Sequence, residues 1–469
     1  MRVVVVGGGV AGLAAAHRLR ELAGPGLSIV LVEQTGRLGG KLRTGEIEGG
    51  PVEVGAEMFL AREEGLDSAV VRLARAVGLG DDLVHPAPLP AAIVVGGRHH
   101  RVPAGTLLGV PSDLSTVDDL ARPDPQRDLD AGHPLLAPGE DDAVGALVRR
   151  RLGDEVVDRL VDPMLGGVYA GRADALSLAA TMPGLHAAAQ RQPTLTTAVR
   201  AALAAAPRPP GTPVFATVRG GVSRLVDAVA AAAGATVRLG APVRELALVG
   251  AGWRLVLGST RDAEAIEADA VVLAVPSAPA ARLLREVDPG AAADVSTLEY
   301  ASVALVTLAL PAGTQLPAST GFLVPASEGR AVKAATYLSV KWPEQPRPDG
   351  LVLLRASVGR AGEVAVLQRS DEELISLVRG ELAELVPVAL PAPVAAFVTR
   401  WGGGLPQYGV GHVDRIRRVR AALPATLALA GAVADGVGIA ACVRSGAAAA
   451  EAVWAALGAP DLGERDLGL

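Results

Sequence analysis

The chain has 469 residues, enough for two or three domains and a large buried core. Half of them are hydrophobic and 20% are charged, which excludes a mainly disordered protein, and a net charge of −6 gives no basic footprint for nucleic acid. The lone cysteine, Cys442, excludes an internal disulfide or a thiolate cluster and fits a reducing, cytoplasmic setting.

At the N-terminus, Arg2–Val6 is an unbroken β-branched run, the pattern of a strand buried on both faces of a parallel sheet. Gly7-Gly8-Gly9-Val10-Ala11-Gly12 then fits G-x-G-x-x-G, and residues 13–22 have helical composition. Residues 27–32 read as a second strand, closed by Glu33 21 positions after Gly12. Gly7 permits a tight turn, Gly9 lets backbone approach a pyrophosphate, and Gly12 lets helix and strand pack closely. The helix N-terminus offers free N–H groups to phosphates, and Glu33 offers oxygens to ribose hydroxyls. This spacing argues for dinucleotide binding and against a signal peptide, and at this point NAD and FAD are both open.

The next segment, Glu33-Gln34-Thr35-Gly36-Arg37-Leu38-Gly39-Gly40-Lys41, puts a Gly-Gly turn between two cations where phosphate charge needs neutralising. It resembles the second dinucleotide fingerprint of the FAD-binding amine-oxidase superfamily, which includes monoamine oxidases, phytoene desaturases and protoporphyrinogen oxidases. That resemblance favours FAD. Further along, Val54-Gly55-Ala56-Glu57-Met58 resembles the segment that runs under the isoalloxazine in porphyrinogen oxidases, with Ala56 and Met58 as departures from the usual pattern. The stretches 99–111 and Ser339-Val340-Lys341-Trp342-Pro343 resemble the coproporphyrinogen-oxidising Gram-positive branch, and residues 149–157, 162–171 and 176–178 also match the family. By the same resemblance, the backbone of Val243 meets the adenine, Trp401 contacts the flavin, and Gly431, Val437, Gly438 and Ile439 belong to the C-terminal FAD motif. The helix after that motif is expected from about Cys442. The resemblance covers essentially the whole chain.

It implies an α/β protein. A Rossmann-like FAD-binding domain of the amine-oxidase kind is assembled from residues 1–60, 215–285 and 415–469. A helical insert (61–214) and a mixed α+β substrate domain (286–414) complete it. Residues 237–243 are expected to form one strand, 303–310 and 351–358 two more, and 371–385 a helix. Residues 122–142 read as a polar loop, with mobility left open.

Several residues have plainer roles. The Arg149-Arg150-Arg151 run reads first as a solvated helix face, Asp435 as a cap or loop-ordering residue, and Cys442 as packing. Proline interrupts the uncharged stretches at 300–327 and 385–399, so neither offers the 18 or so apolar residues of a membrane span. Peripheral contact at the inner face of a membrane stays open. His99 and His100 have no neighbours at ligand spacing, and no metal is expected.

The resemblance implies oxidation of coproporphyrinogen III to coproporphyrin III by noncovalent FAD in haem biosynthesis. Molecular oxygen is reduced to hydrogen peroxide, and contact with a downstream enzyme of the pathway stays open. The flavin carries the chemistry, so no catalytic residue is named. Lys341 and Arg400 are candidates for the substrate carboxylates. A protoporphyrinogen IX oxidase, an amine oxidase or carotenoid desaturase, and a non-catalytic FAD-binding protein are the alternatives.

Overall fold

The computed structural model describes residues 1–63, 65–207 and 211–458; residues 459–469 of the C-terminal FAD segment lie outside these. Its first layer is a parallel five-stranded sheet in the order Thr236–Arg238, Ser28–Val32, Arg2–Val6, Ala270–Leu273, Leu427–Leu429. Side chains alternate across a strand. Val3 and Val5 therefore join one apolar cluster with Leu13, Ala16 and Leu19 of the Val10–Ala23 helix, while Val4 and Val6 join the cluster on the other face. Both faces are covered, which is why every position from Val3 to Val6 is apolar.

The Val10–Ala23 helix packs against the C-terminal helix Ile439–Ala456. A side chain at Gly446 would collide with the carbonyl of Ala11, so glycine sets how closely the helices approach.

The second sheet has seven strands, in the order Arg98–Arg101, Ala91–Val95, Gly321–Leu323, Val332–Thr336, Val352–Val358, Tyr300–Leu310, Ala395–Pro406. The Asp371–Leu385 helix covers one face, packing Leu374, Val378 and Leu382 on Leu354, Ala356 and Val358. Ser370 and Glu373 form a capping box at its start. The opposite face presents Leu353, which meets Val52 and Val54 from the cofactor-side segment.

Two expectations change. Helical character in 61–214 holds for the helices between Val144 and Ala205, but residues 91–95 and 98–101 form strands of the seven-stranded sheet. The single strand expected over 237–243 is two, Thr236–Arg238 and Val243–Val249, because Gly240 turns at φ +64° and Ala241 N–H bonds the Glu33 carbonyl. Residues 122–142 form the expected loop, in which Asp128 accepts from the backbone N–H groups of Leu195 and Thr196 at 2.7 and 3.0 Å. Among the described residues, no helix is long and apolar enough to cross a membrane.

Candidate functional site

The Gly7–Gly12 turn joins the first strand to the first helix. Positive φ at Gly7, +109°, leaves no room for a side chain beside Ala274, and a side chain at Gly12 would strike the Gly7 carbonyl. Gly9 differs. It caps the helix in extended conformation with no side-chain cap, and nothing lies within 4 Å of where its Cβ would be. The first-turn N–H groups, on Val10 and Ala11 among others, have no intrahelical acceptor. Glu33 is buried beside this turn, with Oε2 accepting from Gly8 N–H and Oε1 from Thr35 N–H, each at 2.8 Å.

The second expected segment is tied to the first by Gly39 N–H, which donates to the Gly8 carbonyl at 2.8 Å. Gly39 and Gly40 both have positive φ, +98° and +57°. Arg37 donates to the carbonyls of Leu38 and Gly40 at 3.1 and 2.7 Å, so it braces its own loop; Gln34 lies on the exposed side of that loop. Lys41 is half-buried next to Cys442, and burial lowers its ammonium pKa. Ala56 N–H bonds the Lys41 carbonyl at 3.0 Å, bringing the 55–58 segment alongside. Gly55 must be glycine here, because a Cβ would collide with the Lys41 carbonyl and lie 3.0 Å from the Trp401 ring. The indole Nε1–H of Trp401 donates to the Val54 carbonyl at 2.7 Å, fixing the ring over that backbone. Ala56 and Met58 are half-buried on either side of Glu57.

Glu57 is buried and paired with both Lys341 and Arg355. Burial alone would raise its pKa, but the two cations outweigh it and hold the carboxyl at about 2. Nearby Glu53 has the opposite fate. Its Oε1 accepts from Val222 N–H and the Thr44 hydroxyl at 2.8 and 3.0 Å, while Oε2 is buried without a partner. Burial, with the Glu57 charge adding to it, raises this carboxyl to about 7.

The C-terminal segment closes the site. Gly431 turns at φ +92° with its Cβ position 3.1 Å from Ala11, against the first helix. The last helix begins at Ile439, three residues before the expected start near Cys442, because Gly438 is its extended cap. No side chain caps it and nothing lies within 4 Å of the Gly438 Cβ position, so a second helix N-terminus opens beside the first. Val437, half-buried, precedes it. Asp435 orders the loop by accepting from Ser445 and, at 2.5 Å, from Arg420; it does not cap the helix. Burial raises the Cys442 thiol to about 11, leaving it protonated and without nucleophilic thiolate character. Val243 sits one short turn beyond Glu33, with its carbonyl accepting from Arg282 at 2.9 Å.

The glycine-capped N-terminus of the first helix, the Gly7–Gly12 turn and a fixed carboxylate at the end of the second strand fit the pyrophosphate and ribose of a dinucleotide such as FAD.

The two substrate candidates do not lie as expected. The Lys341 ammonium is buried and paired with Glu57, a carboxylate it shares with Arg355. Arg400 is exposed and pairs with Asp371 of the helix on the far side of the sheet. It is the neighbour of Trp401, and adjacent strand residues point to opposite faces. Arg355 went unnoticed in the sequence, although a lone cation inside the apolar strand Val352–Val358 was the signal. The Arg149 run is not merely solvated, because Arg149 pairs with Asp154, Asp158 and Asp174 at 2.6–3.1 Å.

Residues 10–454 match the family of flavin containing amine oxidoreductases. The chain is similar to the coproporphyrinogen III oxidase of Mycobacterium tuberculosis, with 39% identity over 467 residues, covering 97% of this chain and 98% of that protein. It is also similar to the chloroplastic protoporphyrinogen oxidase of Oryza sativa subsp. japonica, 29% identical over 475 residues, covering 94% of this chain and 86% of the relative. A solved structure from Exiguobacterium sp. 255-15 superposes with a TM-score of 0.82 at 32% identity, covering 96% of this chain and 98% of that one.

Proposed function

The chain belongs to the family of flavin containing amine oxidoreductases, and on that footing we propose that it is an FAD-dependent enzyme oxidising coproporphyrinogen III to coproporphyrin III. The observation that carries this reading is the near-full-length similarity to a coproporphyrinogen III oxidase, at higher identity than to the plant protoporphyrinogen oxidase.

In this reading the Gly7–Gly12 turn and the first helix N-terminus hold the pyrophosphate, and Glu33 holds the ribose. Val243 lies at the adenine. Gly55–Met58 and Trp401 support the isoalloxazine, with Gly431, Val437, Gly438 and Ile439 at its pyrimidine end. The cofactor segments 1–60, 215–285 and 415–469 form one unit, and 61–214 and 286–414 build the substrate side. Bound FAD supplies the redox chemistry: three two-electron oxidations of the macrocycle, with three molecules of oxygen reduced to hydrogen peroxide. The chain's own task is to bind, orient and shield. Trp401 is locked by its bond to Val54 and presents a flat, rigid wall. Glu57 is held ionised by Lys341 and Arg355, and the three buried groups together keep one net positive charge.

The test is aerobic porphyrin fluorescence with FAD-loaded protein and either coproporphyrinogen III or protoporphyrinogen IX. Faster turnover of coproporphyrinogen is expected. A preference for protoporphyrinogen would replace the substrate, and rates equal to the enzyme-free control for both would reject porphyrinogen oxidation.

A further inference from the structure

A substrate with four propionates needs cationic partners, and with Lys341 and Arg400 otherwise engaged another cation must be sought. Lys333 is 7% exposed, on the Val332–Thr336 strand of the seven-stranded sheet. The register of that strand against Val352–Val358 slips between Val332 and Ala334, so Lys333 occupies a bulge, a device that re-aims a side chain. Its neighbours in register are informative. Thr336 pairs with Arg355 and Ala334 with Ser357. Because side chains alternate, the half-buried Ala334, Thr336 and Ser357 share the face from which Arg355 reaches Glu57. Lys333 sits three residues from Thr336, about 10 Å along the strand at about 3.3 Å per residue.

The Lys333 ammonium is nearly without partners. Its one hydrogen bond is a long one, 3.5 Å, to the Gly166 carbonyl near the end of the Asp162–Tyr169 helix. The nearby carboxylates are taken. Glu363 is held by Arg360 at 3.2 Å, and Asp162 by Ala173 N–H at 2.8 Å and Arg172 at 3.4 Å. Arg360 is itself buried and adds positive charge rather than removing it. Among the described residues no carboxylate is within ion-pairing distance of Lys333. A buried charge left in this state is costly unless something arrives to pair with it.

Gly166 and Gly167 put no side chain between the helix and Lys333, and Gly167 itself is exposed where the helix meets Leu323 of the facing strand, so Lys333 lies one residue's depth beneath the surface. Burial, with Arg360 contributing, lowers the Lys333 pKa to about 7, and an incoming carboxylate would reverse that shift.

We propose that Lys333 is a carboxylate-docking residue of the substrate site, pairing with one propionate of the porphyrinogen. This rests on the porphyrinogen reading above. Lys333 is a positioning residue: it touches the rim of the substrate and not the atoms that are oxidised.

The experiment compares FAD-loaded wild type, Lys333→Met and Lys333→Arg, measuring KM and kcat for coproporphyrinogen III alongside melting temperature and FAD content. Removing one charge-assisted hydrogen bond is expected to raise KM about tenfold to a hundredfold in Lys333→Met, with kcat within about twofold. Lys333→Arg should recover most of the loss. The melting temperature of Lys333→Met should hold or rise, because an unpaired buried cation is gone; a lysine serving only to cap the helix would give the reverse, a lower melting temperature and an unchanged KM. That reverse pattern, or KM, kcat and FAD content falling together in both variants, overturns the docking role. Wild type without activity above the control overturns the porphyrinogen reading and the proposal with it, and this outcome is seen before either variant is compared.

Discussion

Replacing Glu53 by Gln isolates the effect of one buried, half-satisfied carboxyl. In the folded chain its pKa rises from 4.5 to about 7, first through burial and then through the Glu57 charge. For a carboxyl with a raised folded pKa, the stabilising contribution is complete below pH 4.5 and is lost as pH climbs through 7. At about 1.4 kcal/mol for each tenfold, the loss across that window is about 3 kcal/mol. Gln keeps an oxygen for the bonds from Val222 and Thr44 but cannot ionise. The difference in unfolding free energy between wild type and Glu53→Gln should therefore fall by about 2–3 kcal/mol in favour of the variant between pH 5 and pH 8.5. Glu57 titrates far below this range and cancels in the difference. Urea unfolding of the FAD-loaded proteins across that range reads the effect directly. A difference that stays flat with pH, or that moves against the variant at high pH, would refute the claim that Oε2 is buried without a partner.

Other substitutions probe the site in turn. Gly9→Val meets open space, so the protein should fold with its melting temperature little changed while FAD binding, followed by flavin absorbance, weakens at least about tenfold. Glu57→Ala strands Lys341 and Arg355 as buried cations and should cost about 3–5 kcal/mol in chemical unfolding. Trp401→Phe keeps an aromatic wall but loses the bond to Val54, about 1 kcal/mol, and should broaden the bound flavin spectrum through a looser ring; an unaltered spectrum and stability would argue that the indole N–H is idle.

Much of the cofactor cradle is legible in the sequence because its requirements are local. A turn that excludes side chains at Gly7 and Gly12 can be met only by glycine, and an acid at the end of the next strand is at fixed reach. The last helix starts at Ile439, within a few residues of the start expected near Cys442, and its boundary is loose in sequence because glycine at 438 caps it without any side-chain signature. Long-range electrostatics were not legible. Arg149 finds Asp174 and Arg151 reaches Asp128 only once the chain is folded, so a run of arginines reads as surface. Lys341 and Arg400 neighbour family motifs in the sequence, whereas the carboxylates they pair with, Glu57 and Asp371, are distant in it. Lone cations within apolar strands, Lys333 and Arg355, were the better clue, since an isolated charge at a buried position demands a reason.

The packing of the last helix on the first sets a timetable for synthesis. The helix Ile439–Ala456 covers apolar surface that the N-terminal strand and helix expose from the moment they are made. At about 5–20 residues per second, that surface waits on the order of tens of seconds for its cover. Until then the Val3 and Val5 side of the nascent sheet is a surface for chaperones or for aggregation. Cofactor capture is correspondingly late: the second helix N-terminus, with the Gly431 turn against Ala11, exists only after nearly the whole chain has emerged. Chains that stop short of the last helix should therefore bind no flavin.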